Sequence, residues 1–464
     1  MTTQIATICP INGAQLETYP SMSDAAIESA VSKGYAAAKS WGHRPLDERV
    51  AAVRRLADEL RKQAGAFAEL ITSEMGKVSA EAAGEMEKSA VTALYYADNA
   101  ARILADERVL IDGVDAWVSY ESIGLVLAVM PWNFPVWQVM RFAIPSITAG
   151  NGILLKHSPN VTGCALALQQ LFVDAGLPQN VVTTLVVAEP DVPAVSDRLI
   201  NDDRIAAVTL TGSNRAGAAV GAAAGRASKK SVLELGGSDA FVVLDDADVD
   251  TAVAAAVKAR FHNAGQSCVC AKRFIVSEAI AQQFTEKFVA ATKALVVGDP
   301  REANTQVGPL ARGDLRDALN HQVRESVATG AVLLTGGKAV DGPGFFYEPT
   351  VLGATGPGMV AFDEETFGPL AAIAVAKSDE DAIRLANASQ FGLSISVWSK
   401  SKDRALAVAK GVTSGAAFIN AVTASDARIP FGGTKRSGYG RELAAAGIRE
   451  FTNVRTYWAV EQKD

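Results

Sequence analysis

Short apolar runs, each followed by a longer helical pattern, recur along this chain and constrain its fold more than any other feature. GLVLAVM (124–130) precedes a helical stretch from about 135 and GILLKHS (152–158) one from about 161; VVTTLVV (181–187) precedes one near 191 and AAVTLTGS (206–213) one from about 214. Strand-helix alternation of this kind predicts a parallel sheet covered by helices on both faces. A second series follows Leu233: AFVVL (240–244), a helix over 248–262, RFIVS (273–277), a helix over 279–296, another around 312–329, then AVLLTGG, AAIAVA (371–376) and SISVW (394–398). Two α/β domains accommodate these runs more economically than one very wide sheet. With 464 residues, two or three domains are expected at roughly 100–200 residues each. The glycines of LELGGS place the boundary near 234–238.

Ahead of the first series, the chain reads mostly as helix. Ser23-Asp24 caps an Ala-rich run to Ser40, Leu46–Ala64 repeats apolar residues at helical spacing, and Ser79–Leu104 is a third amphipathic run. Between Val109 and Ser122 the period drops to two around Asp112-Gly113, which predicts a β-hairpin.

Composition removes several classes of function. Lys and Arg number 44 against 51 Asp and Glu, a net charge of −7 with no long runs, so no electrostatic footprint for nucleic acid is expected. The longest apolar stretch, Ile123–Met130, falls far short of the ~20 residues that cross a bilayer, and the N-terminal sequence MTTQIATICPINGAQ lacks the basic start and apolar core of a signal peptide. Four cysteines (Cys9, Cys164, Cys268, Cys270) are too few for a disulfide scaffold, and a reducing, cytoplasmic setting is expected.

Cys268 stands in NAGQSCVCAKR, where a glycine and small polar residues bring a thiol to a surface; a thiolate nucleophile needs such exposure, and a buried structural cysteine is the other reading. Cys164 and Cys9 read as buried. Cys270 is either a partner for reversible oxidation or a packing residue, since a C-x-C disulfide is strained. Glu234 closes the apolar strand VLELGGS, where burial would disfavour its charge and poise it as a base; a misjudged exposed position is the alternative. TGSNRAG (211–217) follows a strand and opens a helix with G-S-x-x-x-G, so its backbone N–H groups suit a pyrophosphate, or form only a turn. Lys156 ends a strand and either reaches a ribose or phosphate or sits in solvent. In MPWNFP (130–135) two prolines fix a loop that either aims the Asn133 amide at a reacting oxygen or is merely a capped turn. The four histidines are scattered, no spacing predicts a metal site, and no G-x-S-x-G occurs.

Taken together, MPWNFP, TGSNRAG, LELGGS, GQSC, EETFGP (364–369) and FGGTKRSGYGRE (431–442) resemble, in order and over essentially the whole chain, the NAD(P)-dependent aldehyde dehydrogenase superfamily. Through WNFPVWQVMR, LLKHSPNV, LELGGSD and ASDAR-x-x-FGG the sequence is most similar to bacterial succinate-semialdehyde dehydrogenases. The resemblance implies an α/β fold with two Rossmann-like domains and a small β oligomerisation element. It places cofactor binding in 1–108 and 123–234, catalysis in 235–431, and subunit bridging in 109–122 and 445–464. It further implies Cys268 as nucleophile, Glu234 as general base and Asn133 as oxyanion donor beside the Cys268 backbone N–H. Lys156 and Glu365 would hold the cofactor riboses, Gly212 and Ser213 the pyrophosphate, with Trp132 and Phe367 beside the nicotinamide and Glu442 as a supporting carboxylate. NAD or NADP is the implied cofactor, a small aldehyde the partner, and a homodimer or homotetramer the assembly.

Two departures stand out. NAD-preferring members commonly carry Glu three residues after the cofactor lysine; here that residue is Pro159, which points to use of both cofactors. Relatives acting on succinate semialdehyde use two arginines and a serine for the distal carboxylate. Arg141 and Ser425 match one arginine and the serine, whereas the other arginine is His262, a titratable imidazole. Trp137 and Phe261 are expected to line an apolar entrance, which leaves aromatic or larger semialdehydes as the alternative substrate class. A CoA-acylating enzyme is disfavoured by the retained Glu234, and a non-catalytic relative by the full set of Cys268, Glu234 and Asn133.

Overall fold

A computed structural model describes residues 3–461; residues 1–2 and 462–464, the outer ends of the first and last expected segments, lie outside the described residues. The first alternating series forms one sheet. Its strands lie in the order Gly438–Tyr439, Lys230–Glu234, Ile205–Thr211, Leu125–Met130, Gly152–His157, Val182–Thr184, all parallel except the first. Alternate residues of Leu125–Met130 enter two different cores: Val126, Ala128 and Met130 one, Leu125 and Leu127 the other. Near-continuous apolarity in the sequence thus reflects helices on both faces. From Leu125–Met130 the chain winds outward one way through 152–157 and 182–184, then crosses back to 205–211 and 230–234. Such a reversal of strand order opens a crevice at the carboxyl ends of the two strands that flank it, here Leu125–Met130 and Ile205–Thr211.

Leaving this sheet at Glu234, the chain enters a second at Asp239. That sheet runs Val332–Thr335, Thr350–Gly353, Leu370–Ala376, Ala271–Ser277, Asp239–Val243, Ser394–Trp398, Ala416–Ile419, parallel except at its first pair. It too is covered twice, with Phe241 and Val243 facing one core and Ala240 and Val242 the other.

The expected hairpin spans Glu107–Ile111 and Val114–Ser122 and turns at Asp112-Gly113; Thr452–Ala459 joins it antiparallel. Helices Asp24–Gly42, Leu46–Lys62 and Ser79–Ile103 follow the amphipathic runs, and the Ser23 side chain caps the first by accepting from the Ala26 N–H. Two local readings need correction. A hairpin of Gln4–Ile8 and Gln15–Pro20 precedes the helices; its signal, Asn12-Gly13 with Gly13 at φ +72°, lay in a stretch whose alternation is diluted by threonines. VVTTLVV pairs only over Val182–Thr184, at the edge of the sheet. No helix among the described residues is long and apolar enough to cross a membrane.

Candidate active site

Cys268 lies between helix Val249–Phe261 and strand Ala271–Ser277, on a turn wound by three successive left-handed residues, Asn263, Ala264 and Gly265 (φ 53°, 52° and 73°). Ala264 lacks the tolerance of Asn or Gly for this region, and such a residue costs about 1–3 kcal/mol unless its surroundings impose it. Here they do. Asn263 Nδ2 donates to the carbonyls of Asn133 (2.9 Å) and Gln266 (3.1 Å), and Gln266 Oε1 accepts from the Ala311 N–H (2.9 Å). Buried Lys272 donates to the Ser267 and Cys268 carbonyls, each at 2.9 Å. Asn133 Nδ2 gives one hydrogen to the Gln266 carbonyl (3.0 Å), which orients the amide and leaves its second N–H for a reacting oxygen. Asn263, Gln266 and Lys272 were not singled out from the sequence. Their signals were the left-handed tolerance of Asn263 and Gly265 and a lysine near the start of an apolar strand.

Glu234 ends its strand fully buried, and its Oε1 has no hydrogen-bond partner. Burial, reinforced by Glu442, pushes its pKa well above the carboxylate range, against the pull of Arg141 and Arg441. The Cys268 thiol is pushed up to about 12, again chiefly by burial, so at neutral pH it rests protonated and needs a base at the moment of attack. Cys270 is buried beneath the same turn and, like Cys9, Cys164 and Cys268, is a free thiol.

The crevice predicted by the strand order is present, with a volume of about 1080 Å³, and it ends at Cys268. Lys156, Gly212, Ser213, Trp132, Glu365 and Phe367 all line it. Ser213 caps helix Asn214–Arg226 by accepting from the Ala216 N–H, so the positive end of a helix opens on the cavity. Lys156 is almost fully buried with no carboxylate on it, and burial lowers its pKa to about 8. An ammonium in that position is matched by ribose hydroxyls or phosphate oxygens. Glu365 Oε1 accepts from the Gly237 N–H (2.9 Å) and lies 3.4 Å from Lys272, and a Cβ on Gly237 would fall 2.6 Å from the Cys268 carbonyl. Trp132 and Phe367 meet edge to face (5.7 Å), a flat apolar wall beside the thiol. Size, helix terminus, unpaired lysine and aromatic wall fit a dinucleotide.

On the other side of Cys268, Trp137 is buried in a cluster that includes Phe134, Phe431 and Cys268. Ser425 is there as well, its Oγ accepting from Lys88 Nζ at 2.7 Å. His262 stacks on Phe134 at 6.0 Å. Packing and then Lys77, Lys88 and Lys258 hold its pKa down to about 4, so the imidazole is neutral at pH 7 and supplies no charge. Arg141 departs from its expected role in a different way. Its guanidinium is buried, paired with Glu442 and stacked over Phe431 (4.5 Å), so its charge is already compensated. Phe261 does not line an entrance: it is in the core of the second domain against Phe288 (6.2 Å).

A partly buried cysteine close to a buried carboxylate, in the wall of a dinucleotide-sized crevice, fits an oxidoreductase that uses thiol chemistry. The model of the aldehyde dehydrogenase family matches residues 1–457, and the chain belongs to that family. It is 49% identical over 456 residues to a succinate semialdehyde dehydrogenase of Escherichia coli named for NAD(P)+, covering 98% of each chain. It is 44% identical to a probable NADP+ succinate-semialdehyde dehydrogenase of Synechocystis, over 98% of this chain and 99% of that one. Among solved structures, succinic semialdehyde dehydrogenase of Streptococcus pyogenes in complex with NADP+ superimposes with a TM-score of 0.95 at 36% identity, over 98% of this chain and all of the other.

Proposed function

We propose that this aldehyde dehydrogenase oxidises succinate semialdehyde to succinate with NAD or NADP. The observation that carries the chemistry is that Cys268 and Asn133 line the inner end of the crevice, with the unpartnered carboxyl of Glu234 buried close enough to the thiol to raise its pKa. Cys268 loses its proton to solvent through the open crevice and its sulfur bonds to the aldehyde carbon. The carbonyl oxygen becomes an oxyanion, which the free N–H of Asn133 and the Cys268 backbone N–H receive; one such donor contributes about 3–4 kcal/mol to the transition state. A nicotinamide dinucleotide held in the crevice by Lys156, Ser213 and Glu365 would supply the hydride acceptor for that carbon, which leaves a thioester on Cys268. Glu234 then takes a proton from the water that attacks the thioester, the C–S bond breaks, and the acid leaves while the thiol is restored. A carboxyl whose pKa burial has raised is suited to hold that proton near neutral pH.

Succinate semialdehyde as substrate rests on the named relatives and on the polar group Ser425–Lys88 set among aromatic side chains. Those aromatics, Phe134, Trp137 and Phe431, also favour a second reading, oxidation of aromatic or larger semialdehydes. Steady-state kinetics over C4–C6 semialdehydes, butanal and benzaldehyde with each cofactor decides between them. The highest kcat/KM is expected for succinate semialdehyde, and a higher value for an aromatic aldehyde overturns that assignment. Because Pro159 offers no carboxylate against a 2′-phosphate, both cofactors are expected to work, and a large excess of kcat/KM for one rejects dual use.

The change of sheet between Glu234 and Asp239 supports a boundary there between a cofactor-binding domain (1–108 and 123–234) and a catalytic domain (235–431). The three-stranded sheet exposes Val109, Ile111, Val454 and Trp458 on one face, an apolar surface that a second subunit would cover in a homodimer or homotetramer. A thiol that must stay reduced to act supports a cytoplasmic setting.

A further inference from the structure

We infer that Lys88 is the cation that receives the distal carboxylate of the aldehyde, acting with Ser425 above the Trp137 ring. The inference rests on the succinate semialdehyde reading and adds a specificity residue that neither motif nor resemblance points to.

Lys88 stands on helix Ser79–Ile103, 337 positions from Ser425 in sequence, yet its Nζ donates to Ser425 Oγ at 2.7 Å and sits 4.4 Å above the Trp137 ring. Trp137 packs in the cluster that contains Cys268, so the ammonium and the thiol share one wall. Among the described residues no carboxylate lies within 4 Å of Lys88. The anions nearby are each committed elsewhere. Glu85 is bound by Lys77 (2.6 Å) and by the backbone N–H groups of Val136 and Trp137. Asp426 is held by the guanidinium and backbone of Arg428, and Glu442 by Arg141. His262 is neutral at pH 7, and Glu81, 3.8 Å from its ring, is held by the Asn263 N–H (3.0 Å).

A partly desolvated ammonium with one hydroxyl partner has two donor hydrogens and a full charge unsatisfied. Burial and Arg141 lower its pKa to about 8, the direction expected of a cation that lacks its counter-ion. A carboxylate entering beside Ser425 would supply that counter-ion, with the methylene chain of the substrate lying along Trp137 and its aldehyde toward Cys268. Arg141 then acts through Glu442 and Phe431, as a positioning residue, rather than as the carboxylate's own partner.

The test compares succinate semialdehyde with butanal, which has the same chain length and no carboxylate, in the wild type, Lys88→Met and Lys88→Arg. Lys88→Met is expected to raise KM for succinate semialdehyde about 10- to 100-fold, the loss of a charge-assisted hydrogen bond, while KM for butanal stays level or falls. Lys88→Arg should keep most of the wild-type preference. Lys88→Gln carries the same comparison if the Met variant does not fold. An equal effect on both aldehydes, or an unchanged preference, overturns the assignment of Lys88. If instead the wild type itself shows no preference for succinate semialdehyde over butanal, the substrate reading fails first, and the two failures are told apart.

Discussion

On the crevice side of Cys268, the groups that meet a cofactor sit at strand ends and at a helix terminus, close in sequence to the turns that aim them. On the substrate side, the functional groups come from helix 79–103, helix 137–148, the turn at 262–265 and the segment 423–442, and most are charged. The first side recognises its ligand largely through backbone geometry and one unpaired lysine. The second holds Lys77–Glu85, Arg141–Glu442 and Arg428–Asp426 as mutually compensated pairs and leaves Lys88 over. A charge that already has a partner contributes to architecture, and a charge without one is available to a ligand. That distinction separates Arg141 from Lys88, although the sequence marks Arg141 and leaves Lys88 unremarked.

The contrast can be broken at three points. The largest effect is expected at the shared centre, where Glu234→Gln should lower kcat about 10²- to 10⁴-fold while a first turnover of reduced cofactor persists, because the thioester still forms. Burial and Glu442 raise the Glu234 pKa, so its proton-accepting form grows as pH rises. Wild-type kcat should therefore climb with pH and the variant's should not; identical pH profiles reject Glu234 as the base. Next, Arg141→Ala strands the buried Glu442 carboxylate and should cost about 3–5 kcal/mol in urea unfolding. In a Glu442→Gln background the same change should cost clearly less, and strictly additive losses would show that the pair is not coupled. The smallest effect belongs to the crevice: Lys156→Ala should raise KM for NAD and NADP alike by about 10-fold and leave KM for the aldehyde unchanged. A shift confined to the aldehyde would move Lys156 to the wrong side of the thiol.

Much of this was legible before folding. Apolar runs marked the strands of both sheets because a buried parallel strand has no solvent face to encode. Asp112-Gly113 marked the hairpin because a tight turn requires residues that accept positive φ. Phe261 was misplaced because an aromatic at the end of a helix fits an entrance or a core equally well, and only its contact with Phe288 decides. Asn263, Gln266 and Lys272 were overlooked because their work is to bond backbone carbonyls, which leaves little mark on sequence pattern.

The sequence by itself marked two α/β units, the main runs that form their strands, and Cys268, Glu234, Asn133 and Lys156 as candidates, since each is tied to a local period or a short motif. Only the tertiary structure decided which charges are spent and which are free. Lys88 and Ser425 are 337 positions apart, and they meet at hydrogen-bond distance. The strength of a charge interaction depends on separation and on how much water has been removed, and the chain sets neither until it folds.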